Sequence, residues 1–130
     1  MSDNATSILI IDDEPPLLRM MSLYLGRKGY RVTVAGSALK ARAELAAAPG
    51  GYAAVVLDAT VQGASPAEFG GEILSGDSAV RILVSSGYPI DVSALEAAAP
   101  GRVAFLHKPF SPEMLANAVR RLLAKEEESL

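Results

Sequence analysis

The sequence predicts a single doubly wound α/β domain, with a five-stranded parallel sheet covered by helices on both faces. Three observations lead there. Five short apolar runs each precede a helical stretch, and parallel crossovers are right-handed and need a covering helix. The run Tyr52-Ala53-Ala54-Val55-Val56-Leu57-Asp58, preceded by Pro49-Gly50-Gly51, is uncharged until its last residue, as suits a strand buried on both faces. The 130 residues, half of them hydrophobic, fall within the usual range of one domain, about 100 to 150, whereas a barrel of eight such units needs about 250.

Taken in order, Ile8-Leu9-Ile10-Ile11 is a buried strand that ends on Asp12-Asp13-Glu14. Pro15-Pro16 opens the first helix, since proline is tolerated where the first-turn amides have no partner. Leu17, Leu18, Met21, Tyr24 and Leu25 form its apolar face, and Gly26 to Gly29 ends it. Arg31-Val32-Thr33-Val34-Ala35 alternates polar and apolar residues, which places this strand at an edge of the sheet. Gly36-Ser37 starts an alanine-rich helix, Ala38 to Ala48, stopped by Pro49-Gly50-Gly51. The Asp58 strand follows, then an irregular loop, Ala59 to Ala64.

Ser65-Pro66-Ala67-Glu68 fits a capping box for a short third helix reaching about Leu74, weakened by Gly70-Gly71. Val80 to Val84 is the fourth strand, running into Ser85-Ser86-Gly87, with a weak helix around Asp91 to Ala99. Val103-Ala104-Phe105-Leu106 is the fifth strand, leading into His107-Lys108-Pro109-Phe110. Ser111-Pro112 caps the last helix, whose pairs Met114/Leu115, Ala118/Val119 and Leu122/Leu123 predict a core-facing stripe. Its tail from Lys125 to Glu128 is polar and expected to fray. The core is expected to span about 7–125, with flexible ends at 1–6 and 126–130.

Composition excludes several classes of function. There is no cysteine and only one histidine, His107, so neither a disulfide framework nor a thiolate or histidine zinc site is expected. Apolar stretches fall far short of the roughly 20 residues that cross a bilayer, and the N-terminus is no signal peptide, so a cytoplasmic protein is expected. Twelve basic against fifteen acidic residues give a net charge of −3 without a basic block, which argues against nucleic-acid binding.

Parallel strands gather the residues just past their ends at one rim: Asp12, Asp13, Asp58, Ser86 and Lys108. In open α/β sheets this rim is where ligands bind, near the point at which strand order reverses. Two carboxylates about 4 Å apart repel by roughly 4 kcal/mol at an effective dielectric of 20. A cation relieves that repulsion, and an all-oxygen site beside a phosphate suits Mg²⁺. Lys108 adds a point charge for a phosphoryl oxygen. Asp58, between metal and ammonium, is then placed to act as a carboxylate nucleophile and form an aspartyl phosphate.

Each residue alone has a plainer reading. Asp12-Asp13-Glu14 caps a helix, Asp58 and Ser86-Gly87 serve turns, Lys108 and His107 are solvated, and Phe105 is a core residue. Their order changes the balance. Ile10-Ile11-Asp12-Asp13-Glu14, Val56-Leu57-Asp58, Leu83-Val84-Ser85-Ser86-Gly87 and Leu106-His107-Lys108-Pro109-Phe110 together make the chain resemble a receiver domain of the two-component response-regulator family over essentially its whole length.

The resemblance implies a flavodoxin-like strand order 2-1-3-4-5. It implies Asp58 as phosphoacceptor, Asp12, Asp13, Asp58 and the main-chain carbonyl of Thr60 as Mg²⁺ ligands, and Lys108 and Ser86 as phosphoryl-binding groups. Ser86 and Phe105 would be the switch pair, and the Lys108-Pro109 bond would be cis. The implied partners are a histidine kinase or histidine phosphotransfer protein, and a downstream protein on the face of the fourth helix, fifth strand and last helix. An output enzyme activity is not expected. The chain departs from the family after Asp58, where Ala59-Thr60-Val61-Gln62 replaces the usual apolar residue and Met/Leu-Pro pair, and Pro66 stands where glycine is common. Two other readings stand beside this one: a receiver-like binding module that acts without phosphorylation, and a small aspartyl-phosphate phosphatase.

Overall fold

The computed structural model describes residues 5–128. Its elements are β1 (Ser7–Ile11), α1 (Pro15–Arg27), β2 (Arg31–Ala35), α2 (Ala38–Ala47), β3 (Ala54–Asp58), a π-helical turn (Pro66–Gly70), α3 (Gly71–Gly76), β4 (Arg81–Ser86), α4 (Ser93–Ala98), β5 (Val103–His107) and α5 (Pro112–Glu128). The strands form one parallel sheet in the order β2-β1-β3-β4-β5.

The two-residue period of a strand sorts the sheet's apolar side chains onto two faces. Ile8, Ile10, Val56 and Leu83 pack with Met21 and Leu25 of α1 and Leu115, Val119 and Leu122 of α5. Leu9, Ile11, Val55, Leu57, Ile82 and Val84 pack with α2, α3 and α4 on the other side. All five residues of β3 are buried, because it lies between β1 and β4 and beneath helices on both faces. β2 is an edge strand, and its exposed Arg31 and Val34 account for the mixed pattern of its sequence.

Three elements differ in detail from the sequence expectation. β4 runs on through Ser85 and Ser86, because Ala59 N donates to Ser85 O (2.8 Å) and Lys108 N to Ser86 O (2.8 Å). Ladder bonds to both neighbours carry the strand past its apolar run. In the third helical segment Ser65 Oγ accepts from Glu68 N at 3.1 Å, but the first turn is π-wound, with Phe69 N and Gly70 N both donating to Ser65 O. Regular winding starts only at Gly71.

On α5 the buried line is Leu115, Ala116, Val119 and Leu122, while Met114 is exposed. A helix turns 100° per residue, so the full width of three adjacent pairs does not face the core. Helical backbone continues through the polar stretch to Glu128. Of the ends expected to be flexible, residues 1–4 and 129–130 lie outside the described residues. Among the described residues no helix is long and apolar enough to cross a membrane.

Candidate functional site

The chain leaves β1 toward β2 on one side and returns to β3 on the other, so strand order reverses between the carboxyl ends of β1 and β3. Asp12 lies just past β1, fixed by a bond from its N–H to Ala35 O (3.2 Å), and Asp58 closes β3. Each is 1 % exposed, whereas Asp13 is exposed. One carboxylate oxygen from each of the three lies within 4.8 Å of the others.

Lys108 enters from the far edge of the cluster. Its N–H donates to Ser86 O, one step beyond the Ser86–His107 pairing of β4 and β5, and the Lys108–Pro109 peptide is cis. Its Nζ donates to Asp12 Oδ2 at 3.1 Å and reaches Asp58 Oδ1 at 3.3 Å and Glu14 Oε1 at 3.5 Å. Burial pulls the pKa of this amine down. The hydrogen bond to Asp12 and the charges of Asp12 and Asp58 outweigh it and hold the pKa above the ordinary lysine value.

Asp12 moves upward as well. Burial raises its pKa, Glu14 N (3.0 Å to Oδ1) and Lys108 oppose the shift, and the charge of Asp58 adds to it. The two upward shifts are compatible. One amine faces two buried carboxylates, so it gains from both, while each carboxylate receives only part of its field.

The two oxygens of Asp58 are unlike. Oδ2 accepts from the Thr60 hydroxyl at 2.8 Å. Oδ1 is buried and has no hydrogen-bond donor among the described residues, since Lys108 Nζ is within ion-pair distance but not aligned as a donor. Three carboxylates within 4.8 Å of one another, two of them buried, are a hard-oxygen set that fits Mg²⁺.

The remaining predicted residues lie around this centre. Ser86 is fully buried, and its Oγ accepts from Tyr88 N at 3.0 Å. Phe105 is half-buried against the α2–α4 face of the core and meets His107 edge-on at 6.4 Å. His107 is exposed. Sequence reasoning assigned Thr60 only its carbonyl and gave Glu14 no role, although the hydroxyl of one and the carboxylate of the other reach the cluster. A hydroxyl two residues after a strand-end aspartate was the available signal for Thr60, and the unbroken Asp-Asp-Glu run for Glu14.

The unusual loop after Asp58 is built from two tight turns, Val61 N to Asp58 O (3.3 Å) and Ala64 N to Val61 O (3.1 Å). Val61 and Ala64 are buried, so the loop is pinned to the core on both sides of Gly63.

Comparison with known proteins places this arrangement. The family model for the response regulator receiver domain matches residues 8–120. Among curated proteins the chain is 32% identical over 119 residues to the uncharacterized transcriptional regulatory protein YkoG of Bacillus subtilis (strain 168), covering 89% of this chain and 50% of that protein. The chain therefore spans about half the length of that relative. A CheY-like receiver domain protein from Methanospirillum hungatei JF-1 superposes with a TM-score of 0.82 at 20% identity, over 98% of this chain and 100% of the other, which is a likeness of fold. The response regulator TrrA of Thermotoga maritima, solved in complex with Mg²⁺-BeF, has a TM-score of 0.74 at 28% identity, over 90% of this chain and 98% of the other.

Proposed function

The chain belongs to the response regulator receiver domain family, and from that membership we propose that Asp58 takes up a phosphoryl group from a phosphohistidine and thereby switches the binding of a partner. Receiver domains are signalling modules of two-component systems, non-enzymatic as a rule, and they act with histidine kinases or phosphotransfer proteins. The observation that carries the reading is Asp58 Oδ1: buried, without a hydrogen-bond donor, 3.3 Å from Lys108 Nζ and within the three-carboxylate cluster.

Thr60 holds Oδ2 and so fixes the carboxylate plane, which leaves Oδ1 as the attacking oxygen. The oxygen attacks phosphorus as the bond to the donor nitrogen breaks, and the leaving imidazole takes a proton. Lys108 Nζ stands 3.3 Å from that oxygen, within reach of a phosphoryl group carried on it, and its raised pKa keeps it charged. Asp12, Asp13, Asp58 and the Thr60 carbonyl would hold Mg²⁺, which supplies positive charge to offset the carboxylates and the transferring oxygens. Ser86 would exchange its bond from Tyr88 N for a phosphoryl oxygen and let Phe105 repack. Output would pass through the face of α4, β5 and α5, where β5 is one of the sheet's two edge strands. The Mg²⁺-BeF carried by TrrA supports the same chemistry for the cluster here.

The test is incubation with a small acyl phosphate and Mg²⁺, followed by intact-mass analysis. One phosphate adduct is expected, absent in Asp58→Asn, and hydroxylamine should release the phosphate and leave a hydroxamate at Asp58. Equal labelling of Asp58→Asn would overturn the assignment.

A further inference from the structure

Between α2 and α3 lies a cavity of about 340 Å³ that has no part in the carboxylate cluster. Its origin is side-chain size. α2 turns Ala46 toward it, the following loop Ala48, and α3 ends on Gly76, so the two helices roof the space without filling it. The floor is apolar, with Tyr52, Phe69 and Ile73 all buried.

Two of the three charges at the mouth are matched to each other. Arg42 donates to Glu72 through Nε (3.1 Å) and an η-nitrogen (3.2 Å), and its guanidinium lies over the Phe69 ring at 4.6 Å. That pairing holds Glu72 below the usual carboxylate range and Arg42 above its ordinary value. The third charged residue, Asp77, accepts from Ala79 N (2.8 Å) and Val80 N (3.3 Å) through Oδ1.

We propose that this cavity is a binding site for a small, neutral, largely apolar ligand, seated on Phe69 and Ile73 beneath the Arg42–Glu72 pair. Volume and the apolar floor select an apolar ligand, and the charges at the mouth disfavour an anion. The space is more than twice the roughly 150 Å³ that takes up benzene in an engineered core cavity, and it sits at the lower end of the roughly 300–1,000 Å³ of natural ligand sites. An anion would have to separate Arg42 from Glu72 and would also face the Asp77 carboxylate, and a cation that paired with Glu72 would strand the guanidinium over Phe69. A neutral apolar molecule breaks neither contact. This binding needs no phosphoryl group on Asp58.

The experiment is a titration of the ¹⁵N-labelled chain with indole, a neutral ring compound, in the absence of any phosphodonor. Saturable shifts confined to the amides around Phe69, Ile73 and Gly76 are expected. Ala46→Leu, at an exposed helical position where leucine is well accommodated, should fill the mouth and weaken binding by about tenfold or more. Its amide spectrum reports whether the fold is kept. Leu39→Ala, on the same helix but outside the cavity, should leave the affinity unchanged. Shifts that do not saturate, that spread over the exposed Leu23, Val34 and Leu39, or that survive Ala46→Leu undiminished would overturn the site.

Discussion

Thr60 is a single hydroxyl with a measurable share in the site. Removing a donor from a buried carboxylate oxygen costs about 1–3 kcal/mol. Thr60→Val keeps the shape and deletes the bond to Asp58 Oδ2, so it should lower unfolding free energy by that amount. In an Asp58→Ala background the same change should be nearly neutral, and a double-mutant cycle by urea denaturation reads the difference.

Asp12 gives a pH signature. Its folded pKa lies above the ordinary 3.8, so the folded state holds this proton more tightly than the unfolded state. The group's contribution therefore falls as pH rises from the unfolded value through the folded one, and at neutral pH it is a net loss. In EDTA, wild type should lose urea stability relative to Asp12→Asn across that window. A parallel pair of pH profiles would contradict it. Lys108 has the same sign in a different window: its pKa is also raised, so its contribution is full at neutral pH and lost only in strong alkali.

The loop from Ala59 to Ala64 works as a clamp rather than a slack connection. Its two turns hand Val61 and Ala64 to the core and leave Gly63 at φ 78°, a left-handed conformation that side chains resist. A Cβ there would also approach Ala38 Cβ at 3.4 Å. Gly63→Ala should therefore destabilise the fold by about 1–2 kcal/mol, seen as a lower thermal midpoint. Because the loop carries Thr60, acyl-phosphate labelling of Asp58 should slow as well. Unchanged labelling in a destabilised variant would separate the clamp from the chemistry. The π-wound turn that follows belongs to the same segment, since Ser65 O accepts from both Phe69 N and Gly70 N.

The molecule as a whole trades stability for a charged rim. Two apolar layers, one under α1 and α5 and the other under α2, α3 and α4, hold a fully buried β3 that ends on Asp58. The carboxylates clustered there repel one another, so a divalent cation bound to the folded state should stabilise it by mass action, about 2.7 kcal/mol at a hundredfold excess over its dissociation constant. Thermal melts in EDTA and in Mg²⁺ should differ accordingly, and Asp13→Asn should shrink the gap. Equal midpoints in both buffers would argue against a metal at the cluster.

Local pattern was enough to place the strand ends. Apolar runs that stop on Asp12 and Asp58, or that lead into Ser86 and Lys108, need no long-range information once the strands are parallel, because chain direction alone brings their carboxyl ends to one rim. The edge position of β2 and the Ser65 cap were legible for the same reason. Contacts between distant residues and choices of side-chain rotamer are a different matter. Lys108 meets Asp12 across 96 positions of sequence, and no spacing rule says that its amine also stands 3.3 Å from Asp58. The difference between the two Asp58 oxygens, the π-wound turn at Gly70, the exposure of Met114 and the cavity left by Ala46 and Gly76 all arise from how the helices settle on the sheet. Periodicity fixes which face a residue occupies, whereas close packing fixes which atom it meets.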